Sequence, residues 1–395
     1  MKYTAEYFDY ILERRNTRSS KWDGCNQRFG IEPEVEMLPM WVADMDFRAP
    51  QEVIDTLMER VKMQAYGYSI KPDYFYEAII RWVERRYHWK IKKEWILNTP
   101  GVIPGFIVAI RTFTEPGDGI IIQPPVYMAF SDGVKKNDRK LVYNPLIEKD
   151  GEWYMDFEDL EKKVKDPDNK MMILCNPHNP IGRAWTKEEL EKVGNLCADH
   201  GVFLISDEIH ADFMMNGKEH QPVSTISEKI QQNTFTHYSP SKTFNLTGLQ
   251  TAYVIIPNDE LRKKYAHHIS ASRIFEVNWF GPDALVTAYN ECEGYVEAVC
   301  EYIGKNMDYM ERFLQERLPM LRMKKSQATY TEWVDFRGTG MNTEEIENFI
   351  IRKARIGVDM GSWFGPGGEG FLRFNLACPR KTLEKGLKQL EDSFL

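Results

Sequence analysis

Four short runs of almost unbroken apolar residues constrain this chain more than any other feature: Gly119-Ile120-Ile121-Ile122-Gln123, Met171-Met172-Ile173-Leu174-Cys175, Val202-Phe203-Leu204-Ile205-Ser206 and Ala252-Tyr253-Val254-Ile255-Ile256. Each is bounded by turn residues and lacks the polar alternation of a strand with one wet face. Such runs suit strands buried on both faces of a largely parallel sheet. Helical stretches lie between several of them. Thr186 and Glu189 stand at capping-box spacing, Leu190, Val193 and Leu196–Cys197 share a face, and Gly201 follows the end. A second helix, from Gln51 to about Met63 after Pro50, places Val53–Ile54, Leu57–Met58 and Val61 on a single face. The expected fold class is α/β.

Open α/β sheets bind ligands just past the carboxyl ends of their strands. Tyr127, Asn179 and Asp207 occupy such positions. Three segments there carry chemistry: Asn176-Pro177-His178-Asn179-Pro180-Ile181-Gly182, Ile205-Ser206-Asp207-Glu208-Ile209-His210, and Ser239-Pro240-Ser241-Lys242 after the run Thr234–Tyr238. A lysine ending a strand in a pocket loses its proton by desolvation, and a neutral amine condenses with a carbonyl. Pyridoxal phosphate needs such a lysine, an acid that keeps the pyridine nitrogen protonated, a donor beside the ring hydroxyl, and a nest of N–H and hydroxyl groups for phosphate. Lys242, Asp207, Asn179 and Ser239 fill those four roles in turn. Each has a plainer alternative: a surface lysine, a helix cap at Asp207, a turn residue at Asn179.

With these residues in place the chain resembles the fold-type I pyridoxal-phosphate enzymes of the class I/II aminotransferase superfamily, and within it the bacterial C-S lyase branch of cystathionine β-lyases, which includes the maltose-regulon modulator type. The likeness runs from Leu38-Pro39-Met40-Trp41-Val42-Ala43-Asp44-Met45-Asp46-Phe47, through Tyr66-Gly67-Tyr68-Ser69 and Pro100-Gly101-Val102-Ile103-Pro104-Gly105, to Leu372-Arg373-Phe374-Asn375 and Cys378-Pro379-Arg380. It implies a large cofactor domain over residues 49–290 with a mostly parallel sheet flanked by helices. A smaller α+β domain would join 1–48 to 291–395. It further implies that Lys242 is the catalytic Schiff-base residue, that Tyr127 stacks on the ring, and that the N–H groups of Val102 and Ile103 cradle the phosphate at the start of a helix. Tyr68 would reach the phosphate of a neighbouring subunit in a homodimer with active sites at the interface. Arg373 would clasp the substrate α-carboxylate bidentately.

Two departures separate the chain from the superfamily's aminotransferases. The position eight after Lys242, an arginine in many of them, is Gln250, so phosphate binding should lean on Ser239, Tyr68 and backbone amides. The position three after Asp207, often tyrosine, is His210, expected neutral behind the first ring of contacts or tuning the ring hydroxyl. Both resemble the C-S lyase branch. The expected reaction is therefore α,β-elimination of L-cystathionine or a related S-substituted L-cysteine to thiol, pyruvate and ammonia. An aminotransferase sharing Lys242, Asp207 and Asn179, and a regulatory protein binding a transcription factor, are the other two readings.

Composition narrows the setting. The balance of 59 acidic against 51 basic residues, a formal charge of −8, argues against nucleic acid or an anionic membrane as partner. No run approaches a membrane span, and Met1–Tyr10 does not read as a signal peptide. Six cysteines without a CxxC pair suit reduced thiols in the cytoplasm. Eight histidines without tight ligand spacing lead us to expect no metal. Gly365–Gly370 lacks the lysine of a phosphate loop and reads as a turn before a strand.

Overall fold

The four apolar runs do form strands, and in the computed structural model, which describes residues 3–274 and 278–395, they lie in one seven-stranded sheet. In chain order its strands are β1 Ile96–Thr99, β2 Gly119–Ile122, β3 Lys140–Tyr143, β4 Asn169–Cys175, β5 Phe203–Asp207, β6 Thr234–Tyr238 and β7 Ala252–Ile255. They are ordered β1-β7-β6-β5-β4-β2-β3 across the sheet. All neighbours are parallel except β7, which runs antiparallel to both β6 and β1. Every residue of β2 and β7 is buried, which is why those runs carry no polar alternation.

Because β1, β2, β4, β5 and β6 point the same way, the segments that follow them leave from one edge. Val102 and Ile103, Tyr127, Asn179, the last residue of β5 (Asp207), and the Ser239–Lys242 segment are gathered there from stretches far apart in sequence. The Thr186 helix runs Lys187–Asp199 with the reciprocal cap formed: the Thr186 hydroxyl accepts from Glu189 N–H, and the Glu189 side chain accepts from Thr186 N–H. The helix after Pro50 spans Gln51–Val61, but only Val53 on its apolar face is fully buried, and Met58 and Val61 are exposed.

A second, antiparallel sheet is built from β8 Arg322–Met323, β9 Thr331–Asp335, β10 Asp359–Met360 and β11 Phe371–Asn375, in the order β8-β9-β11-β10. The Gly365–Gly370 segment is the turn leading into β11, as its composition suggests. The N-terminal segment joins this C-terminal unit directly. Leu38–Pro39 pairs in parallel with Ile356–Gly357, and the Asn375 side-chain amide donates to the carbonyls of Val42 and Asp44 at 2.6 Å each. A buried ion network holds the same segment. Lys21, fully buried, meets Asp46 at 2.7 Å, and Arg14 bridges Asp46 and Asp44. Buried charges persist only when paired in this way. Its effect is to hold Trp41–Asp46 across the carboxyl edge of the large sheet.

Candidate active site

Between the carboxyl edge of the large sheet, the Trp41–Ala43 segment and β10–β11 lies a cavity of about 570 Å³. Lys242, Asp207, Asn179, Tyr127, Ser239, Val102, Ile103 and Arg373, all expected from sequence, line it. Tyr68 does not; it is 95% exposed on this chain.

Lys242 sits in the short helix Pro240–Thr243, which starts on the Ser239 cap and puts proline where no N–H is needed. Its Nζ donates to the Ala43 carbonyl at 2.5 Å. Burial disfavours the ammonium and draws its pKa down to about 8, with the charge of Asp44 opposing the shift. Asp207 closes β5 and accepts from Ile209 N–H at 3.1 Å. Burial pushes its carboxyl up to about 7, so a cation placed beside it would restore its charge. Next to it in sequence, Glu208 is fully buried and accepts from Ser206, His220, Tyr238 and the Val223 N–H, bonds that tie the end of β5 to its surroundings.

Arg373 projects from β11 into the cavity. Its Nη1 donates to Asn179 Oδ1 at 2.7 Å, and its Nη2 donates to Asp359 and to the Trp41 carbonyl. Its Nε is buried with no partner. That orphan donor is what a carboxylate ligand would satisfy. Asn179 uses only its oxygen here; its amide nitrogen makes no hydrogen bond among the described residues. Gly101 precedes the helix Val102–Phe113 without a side-chain cap, and Pro104 has no N–H. The N–H groups of Val102 and Ile103 are therefore left facing the ligand space.

Ser239 stands at the cavity wall, but its hydroxyl donates to the Thr251 carbonyl at 2.7 Å and accepts from Ser241 N–H. Ser241 lies on the same wall. His210 is buried among the cations Lys242 and Arg373, and burial first, then those charges, hold its imidazole neutral. Gln250 also lines the cavity, in left-handed backbone geometry. Sequence reasoning gave no role to Arg28, Trp41, Ala43 or Asp359. Trp41 and Ala43 lie inside a stretch already recognised as distinctive, whereas nothing in the local pattern marks Arg28 or Asp359.

A largely parallel sheet with a buried lysine, a carboxylate and an arginine converging at its carboxyl edge defines an α/β protein of the aminotransferase-like, fold-type I class. Residues 37–390 match the family described as aminotransferase class I and II, and the chain belongs to it. It is 41% identical over 384 residues to cystathionine beta-lyase PatB of Bacillus subtilis, covering 97% of this chain and 98% of that protein. Among solved structures it resembles cystalysin from Treponema denticola, which contains a pyridoxal 5′-phosphate cofactor (TM-score 0.95, 36% identity, 98% of each chain). It also resembles the PLP-bound C-S lyase from Staphylococcus hominis (TM-score 0.91, 32% identity, 98% of each chain).

Proposed function

We propose that this protein is a pyridoxal-phosphate-dependent carbon–sulfur β-lyase that eliminates thiol from L-cystathionine or a related S-substituted L-cysteine, leaving pyruvate and ammonia. The observation that carries the reading is the convergence of Lys242, Asp207, Asn179 and Arg373 on one cavity in a chain alike, end to end, to proteins named as C-S lyases.

The donor set fits the cofactor. Lys242 supplies an amine of lowered pKa for its aldehyde, Asp207 an acceptor for its ring N–H, and Asn179 a free amide donor for its ring oxygen. Val102 and Ile103 offer two backbone N–H groups to its phosphate, and Tyr127 a ring face. Bound there, the group would serve as the electron sink that makes an amino-acid Cα–H acidic. Arg373 would meet the substrate carboxylate through its unpartnered Nε–H and so fix the amino acid against rotation. Lys242, once its amine is released, accepts the Cα proton. Asp207 would stabilise positive charge at the ring nitrogen of the bound group, and the bonding around Glu208 would keep Asp207 in place. Sulfur then departs from Cβ as thiolate, a leaving group whose conjugate acid has a pKa of about 8.5.

The exposed apolar side chains Met58, Val61, Met63, Tyr66, Tyr68 and Ile70 fall in one stretch of the chain, which supports a homodimer in which Tyr68 serves the partner's phosphate. The deciding experiment is a panel of S-substituted cysteines assayed together for pyruvate and free thiol. Stoichiometric release of both supports elimination. Amino transfer to an added keto acid without thiol release would overturn it in favour of a transaminase.

A further inference from the structure

Three cations line the cavity, and two have evident work. Arg373 is paired with Asp359 and open toward an α-carboxylate, and Lys242 is the amine the cofactor requires. The third, Arg28, is unexplained. It belongs to the helix Cys25–Phe29, from the N-terminal segment, and its side chain makes no hydrogen bond or ion pair among the described residues. The residue is exposed to solvent, but its guanidinium is held against an aromatic face at the cavity wall. Its guanidinium carbon lies 4.0 Å from the centroid of the Trp363 ring, and that ring is stacked on Phe29 at 6.0 Å with an interplanar angle of 15°. Phe29 in turn meets Trp41 edge-on at 5.5 Å. The helix below is seated firmly: a Cβ at Gly357 would come within 2.8 Å of Cys25 Sγ and of the Phe29 ring. A cation resting on an aromatic face keeps its in-plane N–H donors free for an anion.

Arg28 also shares an electrostatic neighbour with the carboxylate clamp. Burial pushes the Asp359 carboxyl up, and the charges of Arg373 and Arg28 draw it back down. The Asp359 carboxylate pairs with Arg373, and Arg28 lines the same cavity without closing an ion pair among the described residues. Two guanidinium groups therefore line one cavity with one carboxylate, Arg373 from the C-terminal sheet and Arg28 from the N-terminal segment. An amino acid held by Arg373 presents one end of its charge there and leaves a second cation unanswered.

Resting on the lyase reading above, we propose that Arg28 is a specificity-determining residue that binds a carboxylate at the distal end of the sulfur substituent. Substrates with a second acidic group beyond sulfur are preferred over neutral thioethers of the same size.

The test compares S-(2-carboxyethyl)-L-cysteine with its near-isosteric amide, S-(2-carbamoylethyl)-L-cysteine, on the holoenzyme. Wild type should favour the acid by about tenfold in kcat/KM, the scale of one hydrogen bond to a charged group. Arg28→Met should bring the acid-to-amide ratio to within about twofold of unity, while Arg28→Lys, which keeps charge but loses the planar fork, should fall between. A wild-type ratio near unity, or a ratio unmoved in Arg28→Met, overturns the proposal. If neither compound releases thiol, the lyase reading fails but Arg28 is still tested by calorimetric binding of L-2-aminopimelate, the methylene analogue that cannot eliminate, against its ω-amide. Tighter binding of the diacid, lost in Arg28→Met, supports the role; equal binding of both overturns it.

Discussion

A guanidinium recognises a carboxylate through two parallel N–H bonds, so one edge must stay open until the ligand arrives. On Arg373 the donor left open is Nε, buried and unpartnered, while Asn179, Asp359 and the Trp41 carbonyl hold the other nitrogens in position. Arg373→Lys keeps the charge and loses the fork. We expect KM to rise and kcat/KM to fall about 10²-fold, roughly 2.7 kcal/mol of transition-state binding, with cofactor content unchanged. An unaltered kcat/KM in steady-state kinetics would remove Arg373 from the substrate site. Lys242 yields a pH prediction. Burial lowers its pKa to about 8, so the reactive neutral amine accumulates as pH rises toward that value and is nearly complete above it. The rate at which cofactor-free protein takes up pyridoxal 5′-phosphate, followed by absorbance, should climb about tenfold per pH unit well below the pKa and then level off. A rate still climbing at the same slope through pH 10 would mean an ordinary, solvated lysine.

Strand β9 hides a titratable group with no part in the chemistry. Glu332 is fully buried, accepts from the N–H and hydroxyl of Ser326, and has its carboxyl pushed by burial up to about 8. Because its folded pKa lies above the unfolded one, the folded state holds the proton more tightly. Stability is then lost as pH rises from about 4.5 toward about 8. Glu332→Gln keeps the shape without the charge. Its unfolding free energy, from urea titration, should match wild type near pH 5 and exceed it at pH 9 by on the order of 2 kcal/mol. A difference independent of pH would show that the carboxyl titrates normally. The helix Gln51–Val61 carries a different lesson. Its periodicity is correct, yet Met58 and Val61 remain in water on a single chain, because periodicity identifies an apolar face and not what covers it.

Those residues continue into Met63, Tyr66, Tyr68 and Ile70, an exposed apolar stretch unlike the rest of the surface. Sedimentation should give twice the 46.3 kDa chain mass. The double variant Met58→Glu with Ile70→Glu should shift the protein toward monomer, and its retention of cofactor on dialysis should drop, since Tyr68 would no longer meet a neighbouring phosphate site. Wild-type protein that sediments as a monomer while holding cofactor and turning over substrate would dispose of both the dimer and the role of Tyr68.

Much of the site was legible in linear order because its chemistry rides on strand ends. An apolar run followed by Asp207, another by Asn179, and a third by Ser239-Pro240-Ser241-Lys242 each combine a local burial signal with an unusual polar residue, and a parallel sheet carries such residues to one edge. The α/β class followed from the same runs, since a strand wet on neither face must be covered by helices on both. The antiparallel insertion of β7 between β6 and β1 left no mark in its residues, because a fully buried strand reads the same in either direction. Nor did local pattern indicate that Ala43 would offer its carbonyl to Lys242, that Asp359 would hold Arg373, or that Arg28 would enter the cavity. Asp359 and Arg373 are 14 positions apart and Ala43 and Lys242 199 apart. Asp359 meets Arg373 because the two are cross-strand partners on β10 and β11, whereas Ala43 and Arg28 are brought in as Leu38–Pro39 pairs with Ile356–Gly357 and a buried ion network fixes the segment that follows. Burial and periodicity are properties of neighbouring residues and are written along the chain, whereas the meeting of its two ends is settled by packing free energy summed over the whole molecule.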